Sequence, residues 1–332
     1  MKKLQFGTSK CKKIHIGKRC ESYKCNKIYV DKWDEVYDIS KDDTKTQDVL
    51  LGKVLMEESN EEKYLGDLIS KDGKNIKNIK SRVNKGKMVI KRIMDVLEAI
   101  PFGKLYFEVA ILLRNSLFVS SLLCNSEVWF NLNQSDLNLL ESVDLSLLRR
   151  ILGAPKYTPK EMLYLELGLI PLREEIRKRR LNFLKYILDQ DGDSILFKVF
   201  DQQCKNTTKN DWVTTIIEDM RVTNLNVTFA DIQEINKIKW RSIIKQHIRE
   251  KSLRDLNKIK EGHSKVKDLE HKKLETQDYL KPTQEKVTKD EIQSIFKIRS
   301  KTLDLKMNKK GLFQSFECEI CYKEDKTQEH VI

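Results

Sequence analysis

From Asn75 onward, the apolar residues of this chain recur every three or four positions, as they do on the buried face of an α-helix. Proline and glycine, the residues that most often interrupt helices, number only 5 and 12 among 332 residues. Before Asn75 the pattern differs, because the segments KIHIGK and KIYVDKW alternate apolar and polar residues in the manner of strands. The sequence therefore predicts an α+β fold that is predominantly α-helical.

These patterns divide the chain into four regions. A small β-rich segment is expected over residues 1–70, followed by a helical region over residues 71–255. Residues 256–288 contain mostly Lys, Glu, Asp, His and Thr, and this composition predicts a charged linker or a solvated helix. A short C-terminal segment over residues 289–332 carries a close pair of cysteines.

Two boundaries inside the helical region are marked by specific residues. Gly153 and Pro155 predict the end of one helix, because glycine adopts a left-handed cap and proline lacks an N–H. The segment TPKE predicts the start of the next helix, with Thr158 and Glu161 forming a capping box.

The charge of the chain indicates the kind of partner that it binds. Lys and Arg total 63 against 50 acidic residues, a formal net charge of +13. Such a surplus favours a polyanion, because neutralised phosphates release condensed counterions; high solubility is the alternative explanation. No apolar run approaches the roughly 20 residues that span a bilayer, and the N-terminus lacks the apolar core of a signal peptide. We therefore expect an intracellular protein of the nucleus or cytoplasm with no membrane partner.

A run of basic residues without an intervening acid extends from Lys74 to Arg92. Four of its lysines have helical spacing and are predicted to share one side of a helix, opposite the apolar stripe. Like charges on one face repel each other, so an external anion would stabilise that face; a merely solvated face is the alternative. The predicted nucleic-acid contacts in this run are Lys74, Lys77, Lys80, Arg82, Lys85, Lys87 and Lys91.

A second basic run lies in the segment REEIRKRR. Its predicted nucleic-acid contacts are Arg177, Lys178, Arg179 and Arg180. The alternative is internal pairing, because Glu174 and Glu175 precede these residues by a helical turn. Such a run is also similar to a nuclear-import signal.

Cys318, Cys321 and His330 have the spacing of zinc ligands, since thiolates and an imidazole suit a tetrahedral zinc ion. The sequence supplies three ligands up to Ile332, so we expect an incomplete zinc site that water or a cysteine from elsewhere completes. The remaining cysteines are spaced irregularly and are interpreted as ordinary thiols.

Two segments, LQFGTSKCKKIHIGK at 4–18 and EKYLGDLISKDGKNIKNIKSRVNKGKMVIKRI at 62–93, resemble a non-LTR retrotransposon reverse transcriptase beyond its active-site aspartates. NSEVWFNL and the segment DLSLLRRILGAPKYTPKEMLYLELGLIPLREEIRKRRLNFL are similar to the helical region beyond the thumb of such enzymes. The C-terminal stretch resembles the lead into their zinc knuckle.

This resemblance implies roles for particular residues. The strand that contains Tyr64, Leu65 and Gly66 would form the grip on the primer, and a packed tyrosine at a strand end is the alternative. Lys10 matches the lysine that follows the catalytic strand, where it helps to neutralise or protonate the leaving pyrophosphate. The implied partners are RNA or an RNA/DNA template–primer, together with the polymerase portion that this chain lacks.

The catalytic signature of that family, an aromatic residue followed by x-Asp-Asp, is expected to lie upstream of Met1. Asp42 and Asp43 are adjacent, but they stand in the polar segment SKDDTK, which predicts a solvated turn. Two-metal phosphoryl transfer requires such carboxylates, so Mg²⁺ is expected only in the intact parent polymerase and this chain is predicted to be inactive alone. The alternatives are a helical protein-interaction module without a nucleic-acid role and a non-functional transposon remnant.

Overall fold

The computed structural model divides the chain into two compact units, residues 1–81 and 82–332. All strands in the described part of the chain precede residue 71, and helices make up most of the rest, which confirms the predicted fold class. For the strands before residue 59 only the backbone is described. Side chains are described over residues 59–64, 66–100, 105–206, 211–263, 266–281 and 288–303.

The strands of the first unit form three small sheets. Strands β1 and β6 pair in parallel and form a two-stranded sheet. A four-stranded sheet has the order β3-β2-β4-β5. The last two strands, β7 and β8, form an antiparallel hairpin. The strands are β1 (Lys12–Lys13), β2 (Ile28–Lys32), β3 (Glu35–Asp38), β4 (Val49–Leu51), β5 (Val54–Leu55), β6 (Glu57–Glu58), β7 (Glu61–Tyr64) and β8 (Asp67–Ser70).

Helices form the described part of the second unit, and none of them is both long and apolar enough to cross a bilayer. The division between the units falls within the first helix. The helices are α1 (Ile76–Ala99), α2 (Tyr106–Leu113), α3 (Ser120–Leu122), α4 (Gln134–Leu152), α5 (Lys160–Leu167), α6 (Leu172–Leu188), α7 (Ile195–Lys205), α8 (Trp212–Val222), α9 (Phe229–Glu234), α10 (Lys237–Glu261) and α11 (Lys289–Arg299). A π-helical segment, Arg114–Val119, joins α2 to α3, and short 3₁₀ turns lie at Ser126–Val128 and Asp278–Leu280.

Local sequence explains where several helices begin and end. Gly153 has a φ of 62° and ends α4, as predicted, and Asn133 begins α4 in a capping box with Asp136. The predicted capping box of α5 is wrong, because Pro159 is the N-cap and no side chain caps that helix. The hydroxyl of Thr158, one residue earlier, is buried and makes no hydrogen bond with the described residues.

One hydrophobic core of the second unit lies where α6 and α10 pack together. Leu181 and Leu184 of α6 and Ile244 and Ile248 of α10 are fully buried there. Trp240 is also fully buried, and its indole N–H donates to the Leu181 carbonyl at 3.0 Å. Because the indole nitrogen has a partner, burial of this large ring has no unsatisfied polar cost.

The π-helical segment carries a buried ion pair. Arg114 donates two hydrogen bonds to the Asp144 carboxylate, at 2.8 and 2.6 Å, and both side chains are buried. The Tyr164 hydroxyl donates to the same carboxylate at 3.1 Å. These contacts join α4, α5 and the π-helical segment, and they satisfy charges that would be very unfavourable if buried alone.

Residues 266–281, which we call the strap, lie against α5 and α10. Within the range 256–288, predicted as a charged linker or a solvated helix, residues 256–261 complete α10 and the strap is anchored by buried side chains. Its buried apolar residues are Val266, Leu274 and Leu280. These three residues hold a segment whose other residues are mostly charged or polar.

The strap crosses the C-terminal end of α5 at Gly168, which has a φ of 66°. A Cβ at Gly168 would lie 2.3 Å from the backbone of Glu275, so only glycine allows this approach. The Gln277 N–H donates to the Glu166 carbonyl at 3.0 Å and the Thr276 hydroxyl donates to the Leu167 carbonyl at 3.1 Å. The strap therefore follows a course set largely by contacts with the backbone of α5.

Candidate nucleic-acid interface

One side of α1 carries the lysines that were predicted to share a face. With about 100° between successive residues, Lys77, Lys80, Lys87 and Lys91 fall within an arc of about 80°. All four are exposed, as is Lys74 just before the helix. We call these four residues the α1 lysine face.

The acids near this face are few. The Lys77 ammonium lies 3.0 Å from the Glu61 carboxylate, and both side chains are about half exposed. Among the residues that the structure describes, Lys80, Lys87 and Lys91 have no acidic side chain within ion-pair distance. The face ends near Asp95, one turn after Lys91. Three lysines of this face, spread over about three turns, are therefore available to an external anion.

The other two cations predicted in this run lie away from that face. Arg82 is buried, so its guanidinium cannot contact a phosphate on the surface, and Lys85 is only partly exposed. Helical periodicity explains the difference, because Arg82 lies on the side of α1 that carries Ile79, Val83 and Leu97. The placement does not support the predicted contact by Arg82.

The predicted primer-grip residues lie at the turn of the β7–β8 hairpin. Tyr64 ends β7 opposite Asp67 and is 65% exposed, so it is not a packed core tyrosine. Gly66 has a φ of 92°, a conformation that other residues rarely adopt, and the hairpin turn accounts for its presence. Leu65 and Lys10 lie outside the described residues.

Two arginines of the second basic run face inward from α6. Arg180 is buried and donates to both oxygens of the Asp219 carboxylate, at 2.6 and 2.9 Å, and to the Trp129 carbonyl at 3.1 Å. Arg177 donates to Asp219 at 3.1 Å and also pairs with Glu174. These arginines hold α6 against α8, and their placement does not support direct contact with nucleic acid.

The other two members of that run, Lys178 and Arg179, share the carboxylate of Glu175. Lys178 lies 2.6 Å from one of its oxygens and Arg179 lies 3.8 Å from the other. Arg179 also donates to the Leu123 carbonyl at 2.7 Å. Internal pairing, the alternative for this run, is thus the arrangement in the structure, although both side chains remain partly exposed.

The strap and α11 are joined to α5 by a buried carboxylate. The Arg299 guanidinium donates to both oxygens of Glu166 at 3.0 Å, and the His271 Nε2 lies 3.0 Å from one of them. Burial acts to raise the pKa of Glu166, but the hydrogen bonds of His271 and Arg299 outweigh it and the pKa is lowered. Glu166 is therefore held as a carboxylate within the fold.

The structure also brings together basic residues that the sequence reading did not select. Arg241, Lys245 and Arg249 follow one another at intervals of four along α10. They line the same cleft as Lys178 and Arg179 of α6. The four-residue interval was a visible signal in the segment WRSIIKQHIRE, but only the packing of α10 on α6 shows that these side chains meet the second basic run.

The predicted zinc ligands Cys318, Cys321 and His330 lie outside the described residues. Within the part of the chain that the structure describes, no group of three or more His, Cys, Asp or Glu side chains is placed to hold a metal ion. The zinc site and the magnesium of the parent polymerase therefore stay predictions.

Comparisons of the chain with protein-family models, with curated proteins and with solved structures found no significant match. The site is thus described by its own chemistry: an exposed lysine face on α1 and a basic cleft beside α6.

Removal of the Asp219 carboxylate tests the inward role of Arg180. Asp219→Ala leaves a buried guanidinium without its counter-charge, so we expect a loss of about 3–5 kcal/mol in the free energy of unfolding. Glu218→Ala is the matched control, because Glu218 also pairs with an arginine, Arg221, but on the surface. That variant should lose no more than about 1 kcal/mol. Equal losses in urea unfolding would contradict a structural role for the buried pair.

The lowered pKa of Glu166 predicts sensitivity to acid. The unfolded chain takes up this proton near the ordinary pKa of 4.5 and the folded chain only at lower pH. The contribution of Glu166 to stability is therefore complete above pH 4.5 and is lost as the pH falls through the folded pKa. Unfolding free energy measured against pH should decline more steeply in this range for the unmodified protein than for Glu166→Gln. Glu98→Gln, at an exposed position, should keep the steep decline.

Proposed function

We propose that this chain binds nucleic acid through the α1 lysine face, as the C-terminal part of a reverse transcriptase of the non-LTR retrotransposon type. One observation carries the proposal. Lys80, Lys87 and Lys91 lie exposed on one face of one helix, two turns and then one turn apart, and no acid among the described residues pairs with them. A row of cations with this arrangement complements the repeating phosphates of a nucleic-acid strand.

The distribution of charge along α1 supports a role in binding and not in helix stability. Helices are stabilised by acids in the first turn and by bases in the last turn. The first turn of α1 contains no acid and its last turn no base. Asp95 and Glu98 lie near the end where bases are preferred. This distribution of charge destabilises the isolated helix. We propose that binding of an external anion compensates for it.

The chemistry of the face favours contact with phosphates and not with bases. Lysine presents a flexible point charge, whereas arginine forms the two parallel hydrogen bonds that distinguish a guanine edge. All four members of the α1 lysine face are lysines. We therefore propose RNA or an RNA/DNA template–primer as the ligand, bound with little dependence on sequence.

The family resemblance supplies the rest of the proposal. In that family the thumb helix follows the primer-grip hairpin, and in this chain α1 follows the β7–β8 hairpin. The exposed ring of Tyr64 at the hairpin turn is consistent with a role in the grip. We further propose that the chain alone does not polymerise DNA, because catalysis would require carboxylates from the polymerase portion.

Charge reversal of the α1 lysine face tests binding. Lys80→Glu, Lys87→Glu and Lys91→Glu combined should weaken binding of a labelled RNA hairpin to the full chain at least about tenfold. The slope of log K against log salt should also fall by about 0.7–0.9 for each phosphate contact that is lost. Fluorescence anisotropy over a salt series measures both quantities.

Its control has the same change in net charge at exposed lysines elsewhere: Lys205→Glu, Lys237→Glu and Lys239→Glu. This variant should bind far better than the first. Equal weakening would mean that only the net charge matters, and unchanged binding in both variants would favour the protein-interaction alternative.

A primer-extension assay tests the catalytic part of the proposal. The purified chain, incubated with an RNA template, a DNA primer, Mg²⁺ and nucleotides, should extend no primer above the background of a heat-denatured sample. Incorporation that depends on template and metal would overturn the proposed inactivity, while leaving binding through α1 intact.

A further inference from the structure

A second basic surface, separate from the α1 lysine face, lies in a cleft of about 860 Å³ beside α6 and α10. Its walls are α6, which contributes Lys178 and Arg179, and α10, which contributes Arg241, Lys245 and Arg249. The strap closes one side near Thr276. The α10 residues succeed one another by one turn, with a rise of about 6 Å between them.

Cations outnumber acids among the side chains that line this cleft. Seven basic residues line it, against the two acids Glu175 and Glu275. Some of the cations have acidic partners: Arg114 pairs with Asp144, Lys281 lies 3.5 Å from Asp278, and Lys178 and Arg179 share the one carboxylate of Glu175. The cations of this cleft that have no acidic partner among the described residues are therefore those of α10.

Arg241 and Lys245 carry the unbalanced charge. Both are exposed, and neither has a side-chain hydrogen bond or an ion pair with any residue that the structure describes. Arg249, one turn further, is half-buried and donates to the Leu274 carbonyl, which fixes it at the base of the cleft. A concave site lined by one sign of charge focuses the field and attracts a polyanion more strongly than a flat surface does.

The basic cleft continues along α10. A neighbouring groove of about 400 Å³ shares Lys245, Arg249 and Glu275 with it and adds Lys272 and Lys273 from the strap and the acid Glu250 from α10. Lys273 has no acidic partner in the described part of the chain. An elongated run of cations suits a polymer of phosphates better than a single small anion.

The lining of the two cavities indicates how that polymer is held. None of the described residues that line them is aromatic, so bases cannot stack on rings there. The volume of the larger cavity is that of a small-molecule pocket, about 300–1,000 Å³, which is too small to enclose a duplex. A single strand that presents its phosphates fits both facts.

We propose that this cleft is a second nucleic-acid site, which holds a single strand by its phosphates without reading its bases. The inference rests on the proposed function, because it assumes that the chain binds nucleic acid, but it uses none of the residues of the α1 lysine face. The two sites would allow one molecule to hold a structured RNA or duplex on α1 and an unpaired strand beside α10.

The test uses a labelled single-stranded oligo-dT of about 16 nucleotides, which covers the usual size of such sites. Arg241→Glu with Lys245→Glu should weaken its binding to the full chain at least about tenfold and lower the salt slope by about 0.7 for each lost contact. Arg241→Lys with Lys245→Arg should bind as the unmodified chain does, because phosphates accept either cation.

Arg254→Glu with Lys258→Glu is the matched control. It changes the same residue types, at the same interval, on the same helix, and both residues are exposed and lie outside the two cavities. Its binding should stay within about threefold of the unmodified chain, since distant exposed charges are largely screened at 0.1 M salt. Equal weakening in both charge-reversal variants would overturn the proposal. Circular dichroism identifies any variant that fails to fold, and Arg241→Gln with Lys245→Gln then replaces it.

Competition distinguishes the remaining outcomes. Unlabelled single strand should displace the probe more effectively than duplex of equal length and far more effectively than inorganic triphosphate. If triphosphate competes equally at the same phosphate concentration, the cleft is a small-anion site and the proposal is wrong. Failure of the unmodified chain to bind any nucleic acid would remove the proposed function itself. If charge reversal on α1 weakens binding of the oligo-dT and charge reversal in the cleft does not, the cleft proposal is wrong and the proposed function stands.

Discussion

The buried carboxylate of Glu166 connects α5 to two segments that each lie more than 100 residues further along the sequence. Arg299 and His271 both bond to it, so α11 and the strap are fixed to the end of α5. A buried carboxylate without these partners would be costly, and this cost ties the position of the strap to the helical core. Since the strap forms one side of the basic cleft, the shape of that cleft depends on a carboxylate that does not line it.

The fold separates the cations of the chain into two groups. Several that point inward are paired with acids, as Arg114 is with Asp144, Arg180 with Asp219 and Lys251 with Glu174. Each such pair removes one cation and one acid from the surface, so the surplus of positive charge stays on the surface. Among the described residues, the exposed cations without an acidic partner include Lys80, Lys87 and Lys91 of α1 and Arg241 and Lys245 of α10.

Periodicity predicted the helical class, the end of α4 at Gly153 and the exposed lysines of α1, because these depend on residues near each other in sequence. It did not predict that Arg180 is buried, because its partner Asp219 is 39 residues away. The composition of 256–288 indicated a charged linker or a solvated helix and did not reveal the contacts of the strap, because the strap has few apolar residues and its anchors lie on α5 and α11. The cleft was not predicted because it is formed by helices that are distant in the sequence. Local sequence patterns do not show which of these helices pack together.

The contact between the strap and Gly168 has a consequence for how this surface can diverge. Main-chain atoms on both sides define the crossing, so the exposed side chains of the strap are free to change while its buried anchors and its course are retained. Descendants of such a protein could replace lysine by arginine or glutamine along the cleft and keep its outline. Related proteins would then share the path of the backbone and a single glycine after the similarity between their amino-acid sequences has been lost.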